Sequence, residues 1–151
     1  TCWAGTGLTK LSLVAARLGL GGLEWACGIP GSIGGAVRGN AGAYGSAISD
    51  VALAVKAYDP AKGKSVRLNN RACGFAYRGS IFKRKNSLLI TEVKLRLTKG
   101  SPEKIKNLSE ANLSRRLEAN PQGLSAGCVF KNPSATFLPK NGLFSPKKFS
   151  K

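Results

Sequence analysis

The sequence predicts a chain of mixed helices and strands, and three stretches carry that prediction. Residues 8–18 repeat apolar side chains at helical spacing, residues 88–97 alternate as a strand does, and Ser101-Pro102-Glu103 opens a second helix. At 151 residues, 42% of them hydrophobic, the chain can bury a core and is too apolar to remain disordered.

The elements follow in chain order. Leu8, Leu11, Val14, Ala15 and Leu18 share one face of the first helix, with Lys10 and Arg17 elsewhere, and Gly19, Gly21 and Gly22 stop it. From Leu23 to Gly45 no clean period survives. Twelve of the 19 glycines fall in the first 50 residues, so the backbone there bends tightly or lets another group approach it. Val51 to Tyr58 predicts a strand, Asp59-Pro60-Ala61-Lys62-Gly63 a turn, and Ser65 to Leu68 its hairpin partner. On the strand from Leu88 to Leu97, alternation puts Leu89, Val93, Leu95 and Leu97 on one face and Glu92, Lys94 and Arg96 on the other. Ser101 is the expected N-cap of the second helix, Pro102 its first residue and Glu103 an acid near the positive end of its dipole. That helix is expected to run to about Glu118, with Ile105, Leu108 and Ala111 as its apolar part. Residues 134–151 hold four lysines, no acid and little periodicity, and are expected to be poorly ordered.

Charge and cysteine usage narrow the function classes. The formal net charge is +17, yet residues 1–50 carry only three basic and two acidic side chains, so the excess lies in residues 51–151. There the cations are dispersed, and no aromatic-basic nucleic-acid module stands among them. A plain basic surface, or one facing an anionic nucleotide ligand, fits this better than specific nucleic-acid binding, which stays open as an alternative. No apolar run of about 18 residues is present, so no membrane association is expected. Nor is there a signal-peptide pattern, and a first residue of Thr leads us to expect that the true beginning lies upstream. Cys2, Cys27, Cys73 and Cys128 form no C-x-x-C pair and histidine is absent, which excludes most zinc sites and every histidine-based triad. No metal site is expected, and reduced thiols in a cytoplasmic protein are the default.

Three motifs carry chemistry. The first is Gly28-Ile-Pro-Gly-Ser-Ile-Gly-Gly-Ala36 with Asn40-Ala-Gly-Ala-Tyr-Gly45. Such a stretch offers backbone N–H groups with few side chains in the way, which suits a phosphate or a flat ring. It fits neither the dinucleotide fingerprint nor a Walker loop, and on glycine content alone tight turns explain it. The second is Cys73-Gly-Phe-Ala-Tyr-Arg-Gly-Ser-Ile-Phe-Lys83, in which Arg78 by itself reads as a solvent-facing charge. The third is Ser125-Ala-Gly-Cys-Val-Phe-Lys-Asn-Pro133, in which Cys128 by itself reads as a small buried apolar residue.

Together these motifs resemble, in order and spacing, the UDP-N-acetylenolpyruvoylglucosamine reductase family over residues 1 to about 133. The I-P-G-x-x-G-G stretch is shared with other FAD-binding oxidoreductases, whereas N-A-G-A-Y-G is more particular to this family. The resemblance implies an α+β protein. Residues 1–98 would be part of a two-part FAD-binding domain, 99–133 the start of an α+β substrate-binding domain, and 134–151 a divergent basic tail. It implies FAD contacts at Gly28, Ile29, Pro30, Gly31, Ser32, Gly34, Gly35, Ala36, Asn40, Ala41, Gly42 and Ala43. Arg78 would stabilise the enolate that develops as hydride arrives, a task suited to a permanently charged planar fork. Cys128 would donate the proton; an ordinary thiol, with a pKa of about 8.5, is protonated at neutral pH. Tyr77, Ser80, Lys131 and Asn132 would meet a nucleotide-sugar substrate. Arg115-Arg116…Asn120-Pro121 is similar to a basic stretch and Q-P step of the family, with Asn in place of Gln.

The activity so implied is reduction of UDP-N-acetylglucosamine enolpyruvate to UDP-N-acetylmuramate, with NADPH as hydride donor, in peptidoglycan precursor synthesis. Two family features are absent: an upstream G-x-G-S-N segment and a downstream glutamate that assists protonation. The expectation is therefore a central fragment that binds FAD weakly and turns over poorly. Another FAD-binding oxidoreductase of the same superfamily is the second enzyme reading.

Overall fold

The computed structural model describes residues 1–85, 87–119 and 130–132. By its contacts the chain divides into one unit from Thr1 to Asn120 and another from Pro121 to Lys151. In the second unit Phe130 is 86% exposed, and Lys131 and Asn132 are exposed as well. Cys128 and the tail from 134 onward lie outside the described residues.

The first unit opens with β1 (Cys2–Trp3), α1 (Leu8–Arg17) and β2 (Leu20–Gly21), followed by a 3-10 turn at Glu24–Ala26. Next come α2 (Ile33–Gly39), the hairpin β3 (Gly42–Ala43) and β4 (Ser46–Ala47), and the single turn α3 (Ile48–Val51). The strands β5 (Ala52–Asp59) and β6 (Lys64–Asn69) follow, then α4 (Ile81–Arg84), β7 (Leu89–Leu95), β8 (Thr98–Lys99) and α5 (Pro102–Ala119). Four strands form an antiparallel sheet in the order β1-β7-β5-β6, and β2 pairs with β8. Helices and an antiparallel sheet thus make an α+β chain.

The core lies where α2 packs on the sheet, with α1 beside it against β2, α5 and the 3-10 turn. Leu8, Ala15, Ile33, Val37, Ile48, Val55, Ala57, Phe82 and Val93 are buried together there, with Trp25 closing one side. The β5–β6 turn follows its sequence signature: Asp59 Oδ1 accepts from the Ala61 amide at 3.1 Å, and Gly63 takes φ +60.

Face assignments by plain periodicity need correction in three elements. In α1 the buried residues are Leu8, Ser12, Ala15 and Ala16, while Val14 is exposed and Leu18 is 66% exposed. Apart from Leu8, the buried face of the helix is thus made of small residues. In β7 the expected inward Leu89 is 56% exposed, whereas Ile90 packs on the core. The cause is a β-bulge: Ala57 pairs with Ile90 but Lys56 pairs with Glu92, so Thr91 is extra and the phase flips there. Ile90 and Val93 then both face inward. In α5 Ile105 is buried as expected, but its companions are Ser109 and Asn112; Leu108 is half exposed and Ala111 exposed. Val51 closes α3, so its strand begins at Ala52.

Candidate functional site

The glycine-rich run folds as a chain of short elements, each too brief to show a period. Ser32 caps α2 by accepting the Gly35 amide on its hydroxyl at 3.2 Å. Asn40 ends that helix in the left-handed conformation (φ +44), a position that favours Gly or Asn. The hairpin β3–β4 then turns on Tyr44 (φ +54) and Gly45 (φ +81), the two-residue loop in which both central residues need positive φ.

A second backbone segment, which the motifs did not single out, runs beside this one. Residues 4–7, with Leu8 just after them, are tied to residues 31–34 by three hydrogen bonds: Leu8 N–H donates to Gly31 O, Ile33 N–H to Thr6 O and Gly34 N–H to Ala4 O, each at 2.9 Å. Thr9 Oγ1 donates to Ile29 O at 2.9 Å and completes the seam. The only hint of this in the sequence is Gly5-Thr6-Gly7 directly ahead of a helix.

The residues expected to meet FAD divide into two groups. Pro30, Gly31 and Gly35 are exposed, and Gly28, Ile29, Ser32, Ala41, Gly42 and Ala43 are partly exposed. Gly34 and Ala36 are interior: a Cβ on Gly34 would sit 2.9 Å from the Ala4 Cβ, so this glycine serves close packing rather than ligand contact. Asn40 is buried with both polar atoms engaged, its Nδ2 donating to Ala76 O and its Oδ1 accepting from Ser49 N–H, each at 3.0 Å.

FAD fits the open part of this surface. A Cβ on Gly31 (φ +111) would meet no atom within 4 Å, and one on Gly35 would meet only the Ser32 hydroxyl at 3.6 Å. The amides of Gly28 and Gly31 have no acceptor among the described residues. Open glycine faces with unspent N–H groups suit a flat or anionic group that lies against backbone.

The structure brings the Tyr77-Arg78 loop to this run. Ala76 and Gly79 exchange both amide hydrogen bonds at 3.0 Å, so Tyr77 and Arg78 form a two-residue turn with Arg78 at φ +53. A left-handed non-glycine residue costs about 1–2 kcal/mol. Three contacts fix the turn against the glycine run. The Arg78 Nη1 donates to Gly42 O at 3.1 Å, Asn40 holds Ala76 O, and the Ser80 hydroxyl donates to Arg38 O at 2.8 Å. Ser80 is fully buried, so its hydroxyl anchors the loop, whereas Tyr77 and Arg78 remain exposed. The Arg78 guanidinium also lies 5.3 Å from the Tyr77 ring centroid. An accessible cation is thereby held beside Gly42 in a fixed backbone geometry.

Two further observations bound the chemistry. Burial pushes the Cys73 thiol up to about 11, so it stays protonated and inert at neutral pH. Among the described residues no grouping of acidic, cysteine or histidine side chains is suited to a metal ion, and no helix is long and apolar enough to cross a membrane.

A backbone-lined cradle with a fixed arginine at its edge suits an FAD-binding domain, and residues 1–69 match the FAD binding domain family model. Individual proteins narrow the likeness. The chain is 42% identical over 136 residues to the UDP-N-acetylenolpyruvoylglucosamine reductase of Petrotoga mobilis, covering 89% of this chain and 44% of that protein. It is 44% identical over 135 residues to the reductase of the same name from Thermotoga maritima, covering 89% and 46%. A crystal structure of UDP-N-acetylenolpyruvylglucosamine reductase from Thermus caldophilus aligns with a TM-score of 0.78 at 36% identity, covering 87% of this chain and 48% of that one. Over most of its own length the chain is thus similar to the UDP-N-acetylenolpyruvoylglucosamine reductases. It spans a little under half the length of the curated relatives it matches.

Proposed function

We propose that the chain carries the central part of a reductase that converts UDP-N-acetylglucosamine enolpyruvate to UDP-N-acetylmuramate with NADPH. This places it in peptidoglycan precursor synthesis, and hence in cell-wall biogenesis, cell shape and division, in the cytoplasm. The observation that carries this reading is the seam between N-A-G-A-Y-G and Y-R-G-S: Arg78 is tied to Gly42 and Ala76 to Asn40. Two motifs distant in sequence, one suited to the cofactor and one to the substrate, thus share one rigid piece of structure.

FAD, when bound, would supply hydride transfer from NADPH to the enolpyruvyl double bond. Gly28, Ile29, Pro30, Gly31, Ser32, Gly35, Ala41, Gly42 and Ala43 would hold it through backbone. Arg78 would pair with the substrate carboxylate and offset the charge that builds on the neighbouring enolate. Cys128 would donate the proton that completes the lactyl ether. Tyr77, Lys131 and Asn132 would face the nucleotide sugar, and Ser80 would keep the Arg78 turn in place from below. In this reading residues 1–98 belong to the FAD-binding domain and 99–133 begin the substrate-binding domain. The partner is a nucleotide sugar rather than nucleic acid or membrane.

A chimera tests the reading. Residues 1–133 of this chain replace the matching stretch of the Petrotoga mobilis relative, and NADPH oxidation is followed with the enolpyruvyl substrate. We expect substrate-dependent turnover that falls about 100-fold or more with Arg78→Ala, the scale of losing one transition-state donor. A folded, flavin-loaded chimera with no turnover contradicts the proposal.

A further inference from the structure

We infer that Arg116 is a positioning residue for the FAD cradle, acting through the peptide between Cys27 and Gly28; the inference rests on the FAD reading above. The Arg116 guanidinium donates from Nε to Cys27 O and from Nη2 to Trp25 O, both at 3.3 Å. It thereby grips the two carbonyls just ahead of the exposed glycine run. In a trans peptide the N–H points opposite to the C=O, and the chain has no cis bond among its described residues. Holding Cys27 O toward α5 therefore turns the Gly28 N–H away from that helix. That amide has no acceptor among the described residues, and Gly28 is the first of the residues assigned to FAD.

The surroundings are built to keep this grip. Gly28 takes φ +75, and a Cβ there would lie 2.7 Å from Leu113 Cδ1 and 3.2 Å from Arg116 Cδ. Only glycine lets α5 come so close. The far end of the run is clasped by the same helix: the Tyr44 hydroxyl donates to Asn112 O at 3.2 Å, and the Arg115 and Arg116 guanidinium groups each lie 5.4 Å from the Tyr44 ring centroid. One face of α5 thus fixes both ends of the glycine run. Arg115 shares the ring contact and the charge of Arg116 but makes no such carbonyl grip, which makes it the control.

The test uses the full chain in two arms. Without flavin, amide hydrogen exchange is measured across residues 23–31 in wild type, Arg116→Ala, Arg116→Lys and Arg115→Ala. Exchange in this segment should rise about tenfold in Arg116→Ala. It should recover little in Arg116→Lys, whose single ammonium lacks the fork that spans two carbonyls. Arg115→Ala should leave it near wild type. With flavin, FAD is titrated by fluorescence, and Arg116→Ala should weaken binding about tenfold while Arg115→Ala changes it less than about threefold. Unchanged exchange in Arg116→Ala overturns the positioning role, as does equal weakening of FAD binding by both substitutions. A raised exchange in Arg116→Ala with no FAD binding by wild type sinks the FAD reading instead.

Discussion

Residues 1–50 and residues 52–95 solve different problems with the same backbone. The second stretch is built on an antiparallel sheet with longer paired strands, where side chains decide which face is buried. The first holds most of the glycines and folds through strands of two residues, short helices and loops tied to each other by single hydrogen bonds. Its interior is made by close backbone approach, as at Gly34 against Ala4 and Gly42 against Ser46 and Ala47. The sheet can therefore absorb changes on its solvent face, whereas the glycine region has little room at its packed positions and much at its open ones. Stability and ligand binding should separate along that line.

The largest effect is expected at Gly42. A Cβ there would lie 2.5 Å from Ser46 O and 2.9 Å from Ala47 Cβ, so Gly42→Ala must force β3 from β4. We expect a loss of about 2–3 kcal/mol by urea denaturation, the scale of overpacking in a tight site. Next is Asn40→Ala, which leaves Ala76 O and Ser49 N–H without their partner and frees the Arg78 turn. A cost of about 1–3 kcal/mol is expected from the unsatisfied groups. If Gly42→Ala proves harmless, the claim that this region is held by backbone proximity fails.

Outside the glycine region, smaller effects are expected at Cys73 and Leu89. Burial raises the Cys73 thiol from 9.0 to about 11. A raised folded pKa means that the unfolded chain ionises first, so this contribution is complete below about pH 9 and is lost as pH rises toward 11. Stability should therefore fall by up to about 2 kcal/mol over that window, at 1.36 kcal/mol per unit. Cys73→Ala should remove that part of the slope. The smallest effect is expected for Leu89→Ser, because the bulge at Thr91 leaves Leu89 exposed. It should change stability by less than about 0.5 kcal/mol, whereas Val93→Ala should cost about 1–3 kcal/mol. A large loss at Leu89 would show that the bulge is absent in solution.

The same contrast explains what could be read from the sequence. The β5–β6 hairpin and the long strand near Leu88–Leu97 follow from alternation and turn chemistry, and the start of α5 follows from Ser101 and Pro102. The bulge at Thr91 does not, because inserting one residue into a ladder leaves no compositional mark, and it inverts the face of every residue before it. Periodicity misplaces the faces of α1 and α5 because Ser12, Ser109 and Asn112 are buried there while Leu18 and Leu108 are not. Polar residues hide in a core when a backbone acceptor is near, as Ser109 Oγ donating to Ile105 O shows. In the glycine region periodicity was silent, and the wording of the motifs alone pointed to FAD. That wording did not separate Gly34, which packs, from Gly35, which is open, nor did it reveal residues 4–7 or the clasp by Arg116.

That last distinction gives the most direct test of the account. Gly35 lies in α2, is exposed, and has room for a side chain within the protein. Replacing it with leucine should leave the fold as stable or raise it by about 0.5–1 kcal/mol, since glycine is a poor helix former. If the open face of the glycine run is where FAD lies, the same side chain must obstruct the cofactor. A parallel FAD titration of wild type and Gly35→Leu should show saturable binding by wild type and at least about tenfold weaker binding by the variant. Equal affinity in two equally folded proteins would contradict the placement of the cofactor on this surface.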